Sequence, residues 1–151
     1  MGPVSDASEE IFDSPVGWVN RHIRSYVDSG GRKGHRHYGW PTLLLTTRGR
    51  RSGKLRRSAL IYDRDGDSYV VVGSNGGKPE QPAWYLNLSA DPRVTVQVGT
   101  EIFAAQARDA TAEERAGMWE RMLVVNPGYA DYEKRAGKAG RQIPVVVLER
   151  A

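Results

Sequence analysis

At 151 residues, 39% hydrophobic and 26% charged, the chain has the size and balance of one globular domain able to bury a core. It has no cysteine, which excludes disulfides, thiol catalysis, iron–sulfur clusters and cysteine-ligated zinc. Net charge is only +4, too little for a wholly basic nucleic-acid binder, and no apolar run approaches the length of a membrane span.

Residues 1–13 are polar and acidic (Asp6, Glu9, Glu10, Asp13) and lack any period, so a loose N-terminal tail is expected before a single domain at 14–151. That opening is also wrong for a secretory signal, and the cytoplasm follows as the expected compartment. Ser14-Pro15 supplies an N-cap and a first-turn proline. Val19, His22, Ile23, Tyr26 and Val27 then recur at helical spacing, which predicts an amphipathic helix over 14–29, ended by Gly30-Gly31. A basic linker with Arg32, Lys33, His35, Arg36 and His37 leads through Trp40-Pro41 into the first strand.

Strands are predicted at 42–47, 58–64, 68–74, 94–98, 102–107 and 143–149. Asp65-Gly66-Asp67 and Gly99-Thr100 are hairpin turns, and the runs 43–45 and 70–72 are apolar enough for burial on both faces. Helices are predicted at 81–90, from the Thr111/Glu114 capping box to about Val125, and at 129–135 after the Asn126-Pro127-Gly128 break. Without strand–helix alternation a doubly wound sheet is disfavoured. The pattern predicts a mainly β (α+β) fold, a six-stranded antiparallel barrel flanked by helices.

Between the first two strands lies a loop with six bases (Arg48, Arg50, Arg51, Lys54, Arg56, Arg57) and no acid. Gly49-Arg50-Arg51-Ser52-Gly53 with Arg56 reads as a phosphate or carboxylate cradle, or as a solvated hairpin tip. It is no Walker loop, because neither Gly-Lys-Ser/Thr nor a following helix is present. Ser74-Asn75-Gly76-Gly77 reads as a second clamp for an anion or flat ring, or as a plain strand-to-helix connection. On the next helix, Trp84 and Leu88 are expected to face the core and Asn87 the loops. Tyr129 and Tyr132 share a helical face and could wall an apolar pocket or pack on the barrel. His22, His35 and His37 do not form a metal set, and no Ser/His/Asp arrangement stands out. No catalytic side chain is assigned; chemistry would come from a bound cofactor.

In order and at compatible spacing, the segments Thr46-Thr47-Arg48-Gly49-Arg50-Arg51-Ser52-Gly53, Arg56, Leu60, Asp65-Gly66-Asp67, Ser74-Asn75-Gly76-Gly77, Pro82-Ala83-Trp84-Tyr85-Leu86-Asn87-Leu88 and Asp91-Pro92 resemble the deazaflavin-dependent nitroreductase family. This is the group of F420H2-dependent quinone reductases with a split β-barrel. The likeness continues through Ala107 to Thr111, Tyr129 to Tyr132 and Ile143-Pro144-Val145-Val146.

The resemblance implies coenzyme F420, whose phosphodiester and polyglutamate tail would use the basic loop, with FMN as the alternative. It implies cofactor contacts from Arg50, Arg51, Ser52, Gly53, Arg56, Leu60, Ile61, Tyr62, Ser74, Asn75, Gly76, Gly77, Pro82, Trp84, Asn87 and Leu88. An acceptor pocket is expected from Ile61, Ser74, Trp18, Tyr26, Asn126, Tyr129 and Tyr132. The chain departs from the family at Ala59 (often Pro) and Asn75 (often Lys). Ile61 and Asn126 stand where nitroimidazole-reducing members carry tyrosines, which removes two ring-bearing walls.

The activity implied is hydride transfer from reduced F420 to a quinone, enone or nitro compound, by a monomer or homodimer. A non-catalytic F420-binding module is the second reading. A nucleic-acid binder is a third, against which stands the lack of aromatics in the basic loop. The basic amphipathic helix, with Arg21 and Arg24, could cover an apolar opening or rest on an anionic membrane surface.

Overall fold

The β-branched and leucine-rich runs form strands wherever alternate side chains can be buried on opposite faces. In the computed structural model, which describes residues 9–13, 17–37 and 40–151, nine strands and four α-helices are assigned. They are β1 (Ile11–Asp13), α1 (Gly17–Asp28), β2 (Arg36–His37), β3 (Trp40–Arg48), β4 (Leu55–Ile61), β5 (Asp63–Asp65), β6 (Ser68–Val72), α2 (Ala83–Ala90), β7 (Arg93–Val98), β8 (Glu101–Asp109), α3 (Ala112–Val125), α4 (Tyr129–Lys138) and β9 (Val145–Arg150). A 3-10 turn at Asn75–Gly77 separates β6 from α2.

The strand order is β1-β4-β3-β7-β8-β9-β6-β5, with β2 attached to β3. Only Tyr62 separates β4 from β5, so one bent segment pairs with β3 through its first half and with β6 through its second. The curled sheet thus returns to the chain segment on which it began. Its path through β3, β4 with β5, β6, β9, β8 and β7, flanked by helices, gives the α+β fold expected from the sequence. Tyr62 sits at the bend with its amide donating to Pro41 O at 3.1 Å and its ring buried against Tyr69, 5.4 Å between centroids.

Period-two alternation divides the core. Leu43, Leu45, Tyr62, Val71, Val94 and Val96 point into the barrel, where Trp84 and Leu88 of α2 join them. Their neighbours Val70 and Val72 face outward under Met118, Trp119, Met122 and Tyr129 of α3 and α4. Leu44 lies outward beneath Ile23 and Tyr26 of α1. The expected two-sided burial of the 43–45 and 70–72 runs is therefore present. The capping box is formed as well: Glu114 N donates to Thr111 Oγ1 at 3.2 Å, and Thr111 N to Glu114 Oε1 at 2.9 Å. The Arg108 guanidinium, with the Thr111 amide, pulls the Glu114 carboxyl down to about 2.

Two expectations change. Ile11–Asp13, read as part of a loose tail, pairs in parallel with β4 through Ile11↔Leu55 and Asp13↔Arg57, so the sheet is not wholly antiparallel. The predicted Ser14-Pro15 helix start lies outside the described residues. Tyr26, expected in an acceptor pocket, is completely buried. Its hydroxyl donates toward Thr42 O (3.1 Å) and Gln97 O (3.3 Å) and accepts from Gly99 N (2.6 Å). Just beyond, Gly31 has φ +87°, and a Cβ there would stand 1.6 Å from Gly99 O. Only glycine lets α1 leave the barrel so close to the β7–β8 turn.

Burial pushes the hydroxyls of Tyr26 and Tyr129 up to about 12. In the unfolded chain a tyrosine ionises near 10, so the neutral form is favoured by folding. The sign is fixed: this stabilisation is complete below pH 10 and disappears as pH rises toward 12, on the order of 2–3 kcal/mol for each residue. Urea midpoints measured from pH 9 to 12 should fall steeply, and Tyr26→Phe should flatten part of that fall.

Candidate functional site

The basic loop, the 73–78 loop and the start of α2 enclose a groove of about 870 Å³. Gly49, Arg50, Arg51 and Ser52 form one end, and Arg56, Arg57, Ser58, Ala59 and Leu60 of β4 form the floor. Ser74, Asn75, Gly76 and Lys78 make the opposite wall, with Pro82, Ala83, Trp84 and Asn87 beside them. Phe12, Asp13, Val19 and Val72 complete the lining.

Charge in this groove is less uniform than the sequence implies. Arg48 pairs with Glu9, and Arg57 makes a two-pronged pair with Asp13 at 2.6 and 3.0 Å, both side chains largely buried. The acidic N-terminal segment thus neutralises two of the six bases. Arg50, Arg51, Lys54 and Arg56 have no carboxylate partner among the described residues and are exposed. The Lys54 and Arg56 cations sit over the Phe12 ring, 4.9 and 5.4 Å from its centroid. Lys78 adds a cation on the far wall.

Asn87 locks the basic loop to α2. It is buried; its Oδ1 accepts from Arg50 N (3.1 Å) and Arg50 Nη1 (3.3 Å), and its Nδ2 donates to Thr47 Oγ1 (3.2 Å). Replacing it with leucine should cost about 1–3 kcal/mol, because buried polar partners lose their bonds. Thermal melts should register that loss. The 73–78 loop is pinned from behind. Gly73 N donates to Pro144 O at 3.0 Å and Gly77 N to Ser74 O at 2.9 Å. Gly77 has φ +78°, and a Cβ there would meet Arg135 Cβ at 2.7 Å and Tyr132 O at 2.9 Å. Helix α4 therefore backs this wall.

Of the residues expected to hold a cofactor, Arg50, Arg51, Ser52, Arg56, Leu60, Ser74, Asn75, Gly76, Pro82, Trp84 and Asn87 line the groove. Gly53, Ile61, Tyr62, Gly77 and Leu88 do not: Tyr62 and Leu88 belong to the barrel interior, Ile61 packs beneath α3 and α4, and Gly77 is buried under α4. Of the described side chains in the expected acceptor pocket, only Ser74 lines the groove. Tyr26 is consumed by its buried bonds, and Tyr129 packs against Trp119 at 6.2 Å. Tyr132 leans on Tyr129 at 6.3 Å, and Asn126 accepts from Gly128 N at 3.0 Å at the end of α3. The side chain of Trp18 lies outside the described residues; its neighbour Val19 reaches the groove.

Sequence reasoning missed Phe12, Asp13, Val19, Arg57, Ser58, Ala59, Val72, Lys78 and Ala83. For the N-terminal pair the available signal was charge complementarity, four acids in the opening 13 residues against six bases in one loop. His22 donates from Nε2 to Gly34 O at 2.6 Å, and His35 Nε2 lies 2.7 Å from the Tyr62 hydroxyl. Among the described residues no cluster of His, Asp or Glu is placed to hold a metal ion.

This geometry joins comparisons that point one way. The family described as F420H(2)-dependent quinone reductase matches residues 18–150. An F420H(2)-dependent quinone reductase of Mycobacterium tuberculosis is 38% identical over 146 residues, covering 88% of this chain and 96% of the relative. A solved F420-H2-dependent reductase is 37% identical with a TM-score of 0.65, covering 72% of this chain and 94% of its own. Another solved structure, described as a domain-swapped dimer, is 34% identical with a TM-score of 0.68, covering 90% of this chain and all of its own. With that match over almost the whole barrel, the chain belongs to the F420H(2)-dependent quinone reductase family.

Proposed function

We propose that this protein is an oxidoreductase that holds reduced F420 in the groove and passes hydride to a quinone-like acceptor. The observation that carries the reading is the groove's polarity. Among the described residues Arg50, Arg51 and Arg56 have no carboxylate partner, and they share the groove lining with the apolar side chains of Leu60, Val72, Pro82 and Trp84. A ligand with an anionic tail and a flat, largely apolar head fits both parts.

When bound, the coenzyme supplies the hydride, and the chain supplies position. Arg51 and Arg56 would hold the anionic tail. The amide and side chain of Arg50, fixed by Asn87, would set where the tail leaves the loop. Leu60 and the 74–76 loop would fix the plane of the ring, and Val19 with Ala59 would border the acceptor. Holding two reactants in contact is a sufficient protein contribution for hydride transfer.

The deciding experiment is a fluorescence titration with F420, FMN and NADPH side by side, followed by turnover with a short-chain quinone. F420 should bind most tightly, and each shortening of its acidic tail should raise Kd, because fewer of the unpaired cations are used. Equal or tighter binding of FMN would move the protein to a flavin-dependent role. Tight F420 binding without quinone turnover would favour a carrier module.

The cytoplasm, or the membrane face reached by quinones, is the compartment proposed. Helix α1 packs its apolar face on the barrel, which leaves Arg21 and Arg24 exposed for anionic headgroups. Among the described residues no helix is long and apolar enough to cross a membrane. Co-sedimentation with anionic vesicles tests that contact. A homodimer is proposed from the similarity to the domain-swapped structure, with light scattering as its check.

A further inference from the structure

Arg141 lies between α4 and β9, lines no part of the groove, and is only 9% exposed. Its guanidinium donates from Nε to Lys78 O at 2.9 Å, from Nη1 to Gly73 O at 2.9 Å and Gln81 Oε1 at 2.7 Å, and from Nη2 to Ser74 O at 2.7 Å. Four of the five N–H donors of an arginine are thereby committed to a single loop. Among the described residues no carboxylate comes within ion-pair distance of it. Burying a cation against neutral carbonyls is costly, and an apolar side chain would fill the same space with less penalty. What an apolar residue cannot do is gather four acceptors separated by up to eight positions in sequence.

Resting on the proposed function, we infer that Arg141 is a positioning residue for the coenzyme groove: it fixes the 73–78 wall by drawing the carbonyls of Gly73, Ser74 and Lys78 onto itself. The effect is steric and electrostatic. Ser74, Asn75, Gly76 and Lys78 line the groove in a conformation that includes φ +47° at Asn75, an uncommon value for a residue with a side chain. The same bonds aim three carbonyl oxygens, the negative ends of their peptide dipoles, at a buried guanidinium. Released, those oxygens would be free to turn toward a site that receives an anionic ligand. A lysine keeps the charge but concentrates its donors on one nitrogen, which cannot span the four acceptors.

The test compares the parent with Arg141→Lys and Arg141→Met. Circular dichroism first establishes that each variant is folded at the assay temperature. Hydrogen exchange of peptides spanning 73–78 should then be about tenfold faster in both variants, with β3 and β7 unchanged. The F420 dissociation constant should rise about tenfold or more, while kcat at saturating coenzyme changes little. A residue with a merely structural role would lower the melting temperature and leave that constant alone. Parental exchange in a folded variant, or faster exchange with parental F420 affinity, overturns the assignment. Failure of the parent itself to bind F420 overturns the proposed function instead, a distinct result because the exchange arm needs no ligand.

Discussion

Replacing Arg51 and Arg56 together with alanine should weaken F420 binding by about 3 kcal/mol at low salt, a factor of roughly a hundred. Charge-assisted hydrogen bonds contribute about 1.5–3 kcal/mol each, and exposure places these two near the lower end. Both line the groove, and neither has a carboxylate partner among the described residues. Salt sets the sign of the second measurement. Screening shortens from about 10 Å at 0.1 M to about 3 Å at 1 M, so the parent should lose affinity with salt more steeply than the variant. Arg57 provides the contrast. Its charge is already bound to Asp13, and Arg57→Ala should chiefly detach β1 from β4. Parental affinity of the double variant at low salt would reduce the loop to a solvated tip.

Deleting residues 1–29 should abolish the folded state rather than strip away a lid. The sequence permitted a lid, an amphipathic helix with an apolar face to lay over an opening. The structure spends that face on the barrel, with Ile23 and Tyr26 completely buried against Leu44. Losing two such side chains removes about 1.5–3 kcal/mol each. The Tyr26 hydroxyl joins Thr42, Gln97 and Gly99, and its loss leaves those groups unpaired at about 1–3 kcal/mol more. Together these approach the 5–15 kcal/mol that stabilises an ordinary domain. Circular dichroism and thermal melts decide the matter. A cooperative melt close to that of the parent, with quinone turnover unchanged, would show that α1 is dispensable.

Deleting only residues 1–13 should be milder. The barrel circuit survives, because β1 lies outside it, but Arg48 and Arg57 lose Glu9 and Asp13. F420 binding by that truncation should become more sensitive to salt, which a titration at two ionic strengths would read.

Local chemistry made most of the fold legible. Continuous apolar runs at 43–45 and 70–72 announced strands buried on both faces, and inner and outer clusters now divide them. The Thr111/Glu114 box, the Asp65-Gly66-Asp67 turn and the Gly99-Thr100 turn act within a few residues, so sequence neighbours suffice to specify them. The basic cluster was equally plain, six like charges between two apolar runs, but only residues 49–54 form the connection: Arg48 ends β3, and Arg56 and Arg57 lie in β4, which begins at Leu55 rather than at Ser58.

Partner choice over long separations was not legible. Arg48 and Arg57 find Glu9 and Asp13 across 39 and 44 residues, and Arg141 finds the loop carbonyls across more than 60. Charge alone names no register for such pairs. Helical spacing likewise put Tyr129 and Tyr132 on one face, and Tyr26 on the apolar face of α1. Whether a ring on such a face walls a cavity or fills a core depends on what packs opposite, and here that was Trp119 for Tyr129 and the β7–β8 turn for Tyr26. The sequence by itself determined the six main strands, the turns, the Thr111 cap and the basic cluster, since each follows from residues adjacent in the chain, whereas β1 and β2 were not legible. Only the tertiary structure decided which cations stay unpaired, which aromatics are buried, and which buried arginine holds the groove wall, because those depend on distances that closing the barrel creates.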